Sequence, residues 1–230
     1  FERGSVLDAE AVDALVRESD AVFHLAARVG VRRILLDPLG TLDVNTIGTQ
    51  NVLEACTRHR VPVLYTSSSE VYGHGVGDAF REDGPILLGP PEQSRWGYAV
   101  SKLHGELLGF ALAAQHDLRF LAVRLFNVVG PGQRGDQGMV LPRFVRAALD
   151  GAPLAVHGPG TQRRTFIHAR DVAAAVWDLL DRHDDRSEVV NVGSTSPVSI
   201  MELAELVRAT AQSDSEISIV DPHTVMPAGF

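Results

Sequence analysis

The chain has a single cysteine, Cys56, in 230 residues. No internal disulfide can form, which fits a reducing cytoplasm. Cys56 sits in a helical pattern and reads as a small buried apolar residue. Basic runs are missing and the formal net charge is −8, so neither nucleic acid nor an anionic membrane surface is expected as a partner. No apolar stretch approaches the roughly 18 to 20 residues of a membrane span. No charged-then-apolar leader opens the chain, so no signal peptide is expected in it. Metal-ligand spacing is also missing. His24, His157 and His168 fall on strands or at a strand end with no second ligand at i+2 or i+4, so no metal site is expected. There is no internal repeat and no low-complexity segment. The chain opens in mid-pattern on Phe1-Glu-Arg-Gly4 and stops on Pro227-Ala-Gly-Phe230 without a starting Met, so it is expected to be part of a longer protein.

What is present is an ordinary globular composition, with enough residues for one large domain or one plus a small lobe. Gly4–Asp8 reads as a strand end running into a helix capped near Asp8, with Val12, Leu15 and Val16 inward. Ala21–Ala27 and Pro62–Ser67 are short apolar runs, as in strands buried on both faces. Gly30 begins a loop. Thr41–Arg58 is a helix with Leu42, Ile47, Val52, Leu53 and Cys56 inward. Gly73–Pro91 is a long Gly/Pro-rich loop. Tyr98–Gln115 is a central helix whose core stripe reads Leu103, Leu107, Phe110, Ala111 and Ala114, and Leu118–Leu125 is a third strand. Such alternation implies a parallel, doubly wound α/β sheet, with its site at the carboxyl ends of the strands.

Beyond Gly132 the pattern turns mixed: a polar loop to Gly138, where Arg134 and Asp136 read as solvated, a helix over Met139–Leu149, and a strand over Pro153–His157. A turn and an extended Arg163–His168 follow. Then come a helix over Asp171–Asp181, a strand over Glu188–Val192, a capping box at Ser199-Ile-Met-Glu202 opening a helix, and a last strand over Glu216–Val220. Residues 1–131 are expected to form one domain and 132–230 mainly a smaller lobe, with about 168–192 returning to the sheet.

The stretch that organises the chain is Ser94-Arg-Trp-Gly-Tyr98-Ala-Val-Ser-Lys102, read with Thr66-Ser-Ser-Ser-Glu70-Val-Tyr72-Gly73 upstream. Tyr98 and Lys102 stand four apart, on one helix face and one turn from each other. A phenol loses its proton near pH 10, and a fixed ammonium is expected to lower that value. A hydroxyl from the serine run can orient a substrate alcohol. Those are the parts for taking a proton from an alcohol while its hydride goes to a nicotinamide.

Six segments resemble the extended short-chain dehydrogenase/reductase family, in its nucleotide-sugar epimerase, dehydratase and decarboxylase branch. They are His24-Leu-Ala-Ala27, Asn45-x-x-Gly48-Thr49-x-Asn51, Ser67-Ser-Ser-Glu-Val-Tyr-Gly73, Tyr98-x-x-Ser101-Lys102, Arg124-x-Phe-Asn-x-x-Gly-Pro131 and Arg164-x-Phe-x-His168-x-x-Asp171. The resemblance implies a Rossmann-type sheet with a substrate lobe, and NAD as cofactor. Ser68, Tyr98, Lys102 and Glu70 would be catalytic. Ala26, Ala27, Asn45, Ser67 and Phe126, with Tyr98 and Lys102, would line the NAD cleft. Ser69, Asn127 and Arg164, with Met139, Val140, Leu141 and Val156, would hold a nucleotide-diphosphate sugar, and a homodimer is expected. The family's opening strand, its G-x-x-G-x-x-G turn at a helix amino terminus and the following acidic residue are not found ahead of these elements. Ser5 also replaces the usual Asp at the adenine.

The shared step implied is oxidation of the sugar at C4. Ser-x-Ser-Glu-Val-Tyr-Gly, with Arg95-Trp96 and Arg164, looks most like the UDP-glucuronate decarboxylases. A UDP-sugar 4-epimerase is the alternative. A 4,6-dehydratase follows, because Ser69-Glu70 supplies one carboxylate where dehydratases carry Asp-Glu. A non-catalytic NAD-binding scaffold on the same fold and a small-alcohol dehydrogenase are the readings from other classes.

Overall fold

The computed structural model describes residues 1–77, 79–135, 138–182 and 187–221. Asp136 and the closing Pro227–Phe230 lie outside the described residues. In chain order the elements are α1 (Ala9–Arg17), β1 (Val22–His24), α2 (Val31–Leu36), α3 (Pro38–His59), β2 (Val63–Ser68), a 3-10 turn (Ser69–Tyr72), α4 (Arg95–His116), β3 (Phe120–Leu125) and β4 (Asn127–Val129). Then follow α5 (Val140–Leu149), β5 (Leu154–His157), β6 (Arg163–Arg164), β7 (Phe166–His168), α6 (Ala169–Arg182), β8 (Glu188–Val192), β9 (Val198–Ser199), α7 (Ile200–Thr210) and β10 (Ile217–Val220). None of the described helices is long and apolar enough to cross a membrane.

The chain divides into two compact units. The first comprises Phe1–Val29, Arg33–Leu125 and Val172–Val192. Its centre is an all-parallel sheet in the order β1-β2-β3-β8. Every residue of β2 is buried, as expected of a strand with neighbours on both edges and cover on both faces. Val12 and Val16 of α1, Val52, Leu53 and Cys56 of α3, Val63 and Tyr65 of β2, and Phe120 and Ala122 of β3 form one apolar cluster. Burial pushes the Cys56 thiol up to about 12, which leaves it an inert packing group.

Several sequence expectations shift. Gly4–Asp8 forms a turn rather than a strand end, and Leu15 is exposed while Val12 and Val16 are buried. β1 is three residues long, and the loop expected from Gly30 contains α2. Ile47 points outward on α3.

The largest correction concerns α4. Leu107, Ala111 and Ala114 of the expected stripe are exposed, and the buried face instead carries Ala99, Ser101, Lys102, Gly105, Glu106 and Gly109. The cause is the aromatic pair beneath. The Tyr65 and Phe120 rings stack with centroids 6.3 Å apart. A Cβ on Gly105 would lie 2.5 Å from the Tyr65 ring, and one on Gly109 2.2 Å from the Phe120 ring. A leucine face would hold the helix off the sheet.

The second unit comprises Gly30–Arg32, Phe126–Asp171 and Gly193–Phe230. It holds three strand pairs: β4 with β7 and β5 with β10, both parallel, and β6 with β9, antiparallel. α5 and α7 close over Phe144, Ala148, Leu154, Val156, Ile200, Leu203, Ala204 and Val207. The capping box at Ser199 and Glu202 is formed on both sides and starts α7.

The close approach of α4 gives opposite signs for two substitutions on one helix. Gly109→Ala should destabilise the protein by about 1–3 kcal/mol through overpacking against Phe120. At Gly97 the nearest atom to an added Cβ is 3.8 Å away, so Gly97→Ala should be neutral or gain up to about 1 kcal/mol from helix propensity. Urea unfolding of both variants checks this, and an unchanged midpoint for Gly109→Ala would contradict the packing argument.

Candidate active site

The carboxyl end of β2 and the first turns of α4 bring four of the expected residues together. Ser68 leaves the strand in an extended conformation and caps the 3-10 turn, its Oγ accepting the Glu70 N–H at 3.2 Å. The Tyr98 phenol lies close enough to the Ser68 hydroxyl for that group to favour its ionised form. Lys102, one helical turn beyond Tyr98, is buried. Its Nζ donates to the Thr66 carbonyl at 2.7 Å and lies 4.8 Å from the Tyr65 ring centre.

These contacts revise the expected electrostatics. Burial pushes the Tyr98 phenol up to about 12, the Ser68 hydrogen bond pulls it down, and the Glu70 carboxylate raises it further. Lys102 is not among the groups that set the phenol's value. Burial alone brings Lys102 down to about 8, because desolvation disfavours the ammonium. The group that helps Tyr98 ionise is therefore the Ser68 hydroxyl. Burial and the Lys102 charge hold His24 near 4, so it is neutral, and it is hydrogen-bonded to Thr49 Oγ1 at 2.9 Å.

Glu70 is exposed beside this pair, and no hydrogen bond to its carboxylate is found among the described residues. The backbone-capping role that a loop carboxylate could play here is filled by Ser68. Ser69 opens the 3-10 turn, half-buried.

The expected cofactor residues differ in what they offer. Ala26 is exposed and Ala27 half-buried just past β1, the strand paired with β2. Their small side chains leave the backbone there open, which suits close approach of a cofactor ring. Asn45 is held by its neighbours. It is 1% exposed, accepts the Arg28 N–H at 2.8 Å, and donates to the Arg28 carbonyl at 3.1 Å and to Ser101 Oγ at 3.3 Å. Ser67 is buried, and its hydroxyl donates to Glu106.

Glu106 and Arg124 were not assigned a role from sequence. Arg124 Nε donates to Glu106 Oε1 at 3.0 Å and Nη2 to Oε2 at 2.7 Å, with side chains 5% and 3% exposed. The guanidinium lies 4.7 Å from the Tyr72 ring centre and reaches the Glu82 carbonyl at 3.4 Å. Tyr72 donates its hydroxyl to Asn191 Oδ1 at 2.9 Å and stacks on Phe80 at 4.6 Å. Two sequence signals pointed here. Glu106 continues the four-residue spacing of Tyr98 and Lys102, and Arg124 is the one charge inside an otherwise apolar strand.

In the second unit, Asn127 donates to the Thr165 carbonyl at 2.8 Å, next to exposed Arg164. Arg164 Nη1 donates to the Arg163 carbonyl at 2.8 Å. Phe126 is half-buried, in van der Waals reach of Gly193. Met139 is exposed at the start of α5, and Val140 and Leu141 are half-buried against the unit's core. Val156 is corrected. It is 0% exposed in that core, so its side chain packs the fold rather than a ligand.

Known proteins resemble this chain over most of its length. The pattern of the NAD dependent epimerase/dehydratase family matches residues 1–193. The chain is 37% identical over 227 residues to the UDP-N-acetyl-alpha-D-glucosaminuronate decarboxylase of Bacillus cytotoxicus, covering 98% of this chain and 70% of that protein. It is 31% identical over 222 residues to UDP-glucuronic acid decarboxylase 6 of Arabidopsis thaliana, covering 92% of this chain and 61% of that one. A solved structure of MoeE5 in complex with UDP-glucuronic acid and NAD superposes with a TM-score of 0.82 at 36% identity, over 96% of this chain and 71% of that one.

Lys102 makes the site visible in the stability of the fold. Its folded value, about 8, lies below the unfolded value near 10.5, so between those two the unfolded chain binds more protons. Stability therefore rises with pH across that window, by about 1.4 kcal/mol per unit of difference. Above pH 10 the raised phenol of Tyr98 works in the opposite sense. Urea unfolding from pH 7 to 10.5 should show this upward contribution in wild type and not in Lys102→Met. Identical slopes would mean that Lys102 is not desolvated.

Proposed function

The chain belongs to the NAD dependent epimerase/dehydratase family, and from that premise we propose that the whole protein oxidises a UDP-sugar at C4 and decarboxylates UDP-glucuronate. The family consists of NAD-dependent enzymes acting on nucleotide sugars, and the parallel α/β sheet is of its Rossmann type. The observation that carries the reading is the grouping of Tyr98, Ser68 and Glu70. A phenol beside a serine hydroxyl lies within the field of an exposed carboxylate that has no hydrogen-bond partner among the described residues.

NAD, when bound, supplies the acceptor for the hydride leaving C4. Ala26 and Ala27 fit its nicotinamide end by leaving backbone open, and Lys102 offers a buried cation nearby on β2's side. The first unit is read as the NAD-binding domain and the second as the sugar-nucleotide lobe.

In this reading Ser68 orients the C4 hydroxyl and Tyr98 takes its proton. The C4 ketone then stands β to the C6 carboxylate. The C5–C6 bond breaks, carbon dioxide leaves, and the electron pair is held as the enolate across C4 and C5. Glu70 manages the proton returned to C5, and return of the hydride to C4 with the Tyr98 proton to its oxygen gives the UDP-pentose and restores the oxidised cofactor. Arg164 with Asn127 supplies the diphosphate contact, since a guanidinium suits two phosphate oxygens at once. The exposed faces of α3 and α4, with Ile47 and Leu107 outward, would carry a homodimer contact, and the protein is placed in the cytoplasm.

Mass spectrometry after incubation with UDP-glucuronate should find the UDP-pentose and carbon dioxide. Interconversion of UDP-glucose and UDP-galactose without carbon dioxide would replace this reading with a 4-epimerase. Tyr98→Phe should lose turnover by about 10² to 10⁴-fold, the range for one general base, with its unfolding midpoint preserved. Glu70→Gln should keep C4 oxidation, read as single-turnover absorbance at 340 nm. Its release of labelled carbon dioxide should slow by about 10² to 10⁴-fold. Equal slowing of both steps would make Glu70 structural.

A further inference from the structure

The buried face of α4 presents Tyr98, Lys102 and Glu106 at successive turns, and three consecutive residues of β2 receive them. Tyr98 meets Ser68, Lys102 meets the Thr66 carbonyl, and Glu106 meets the Ser67 hydroxyl. We infer that Glu106, clamped by Arg124, is a positioning residue that fixes the end of β2 so that the Ser68 hydroxyl meets the Tyr98 phenol. The inference rests on the proposed role of Ser68 and Tyr98 and extends it to a residue that touches neither substrate nor cofactor.

The energetics point the same way. A buried ion pair gains little over well-packed apolar residues, because both charges must leave water. What this one supplies is direction. Arg124 binds both carboxylate oxygens, a planar two-point contact that fixes the plane of the Glu106 carboxylate. Oε1 then has a set place from which to accept the Ser67 hydroxyl. Ser67 precedes Ser68, so a held Ser67 leaves the next residue little freedom at the strand end.

The far side of Arg124 steadies the turn that follows. Its guanidinium stacks on Tyr72, the last residue of the 3-10 turn that carries Glu70, and Tyr72 is tied to β8 through Asn191. Asn191 N–H in turn donates to Glu82 Oε1 at 2.8 Å. The ion pair therefore braces both the strand bearing Ser68 and the turn bearing Glu70.

The test compares Glu106→Gln, Glu106→Asp and Ser67→Ala with Val16→Ala, which loosens the core of the same unit at α1, away from the row. Glu106→Asp and Ser67→Ala keep a carboxylate for Arg124 and serve if Glu106→Gln does not fold. Tyr98 ionisation is read without turnover, as absorbance at 295 nm minus that of Tyr98→Phe in each background. The titratable groups facing Tyr98 are Glu70 on the turn, Tyr65 on β2 and Lys102 on its own helix, and all are retained. In the three row variants the Tyr98 titration should move to higher pH as the Ser68 hydrogen bond is lost. On UDP-glucuronate, kcat of the same variants should fall from the wild-type value on the order of 10²-fold, the effect of a misplacement near 1 Å, with KM little changed. Val16→Ala should lower Tm and leave the titration in place. If the row variants lower Tm and leave both titration and kcat as in wild type, Glu106 is structural and the inference is overturned. If wild type turns over no nucleotide sugar, the proposed function fails, and the 295 nm titration still decides the role of Glu106.

Discussion

The close approach of α4 to the sheet is the constraint on which the site depends. Gly105 and Gly109 let the Tyr65 and Phe120 rings lie directly against the helix backbone. Only at that separation can a lysine, a glutamate and a tyrosine on one helical face all reach polar atoms of one strand end. A leucine-faced helix would bury more apolar area and lose every one of those contacts. The fold gives up hydrophobic packing at this interface and gains a set of fixed polar groups.

Burial shifts the titration of two of those groups toward their neutral forms. The Lys102 ammonium is brought down to about 8 and the Tyr98 phenol up to about 12. Both shifts stem from removal of water, and both leave the neutral forms within easier reach. A base that is protonated at rest and lowered by a single hydroxyl contact is sensitive to where that hydroxyl sits. Rigid support of Ser68 therefore carries chemical weight, and the Arg124–Glu106 pair gives the rigidity a structural source.

Much of this was legible in the chain. Short β-branched runs separated by helical patterns announced the parallel sheet, and β2, β3 and β8 lie close to where apolar runs placed them. The capping box at Ser199 marked the start of α7 because its two hydrogen bonds are local. The four-residue spacing placed Tyr98 and Lys102 on one face of α4 for the same reason. What failed was any inference that depended on a distant partner. Leu107 belongs to a plausible apolar stripe, and only the Tyr65 and Phe120 rings, from two other strands, decide that α4 turns its glycines inward. Lys102 looked like the partner of Tyr98 because helical spacing is visible in sequence, whereas the Thr66 carbonyl that binds it is not. Val156 sits fully in the core of the second unit for the same kind of reason, set by α5 and α7 rather than by its own strand.

The central claim is that the protein makes a ketone at C4 of a nucleotide sugar. It is tested most directly by quenching the protein during turnover of UDP-glucuronate with sodium borodeuteride and locating the label. Trapping a C4 ketone must leave deuterium on C4 of the recovered sugar, in the pentose, the uronic acid or both. Recovery of sugar carrying no deuterium on its ring, under conditions where product forms, would contradict the account.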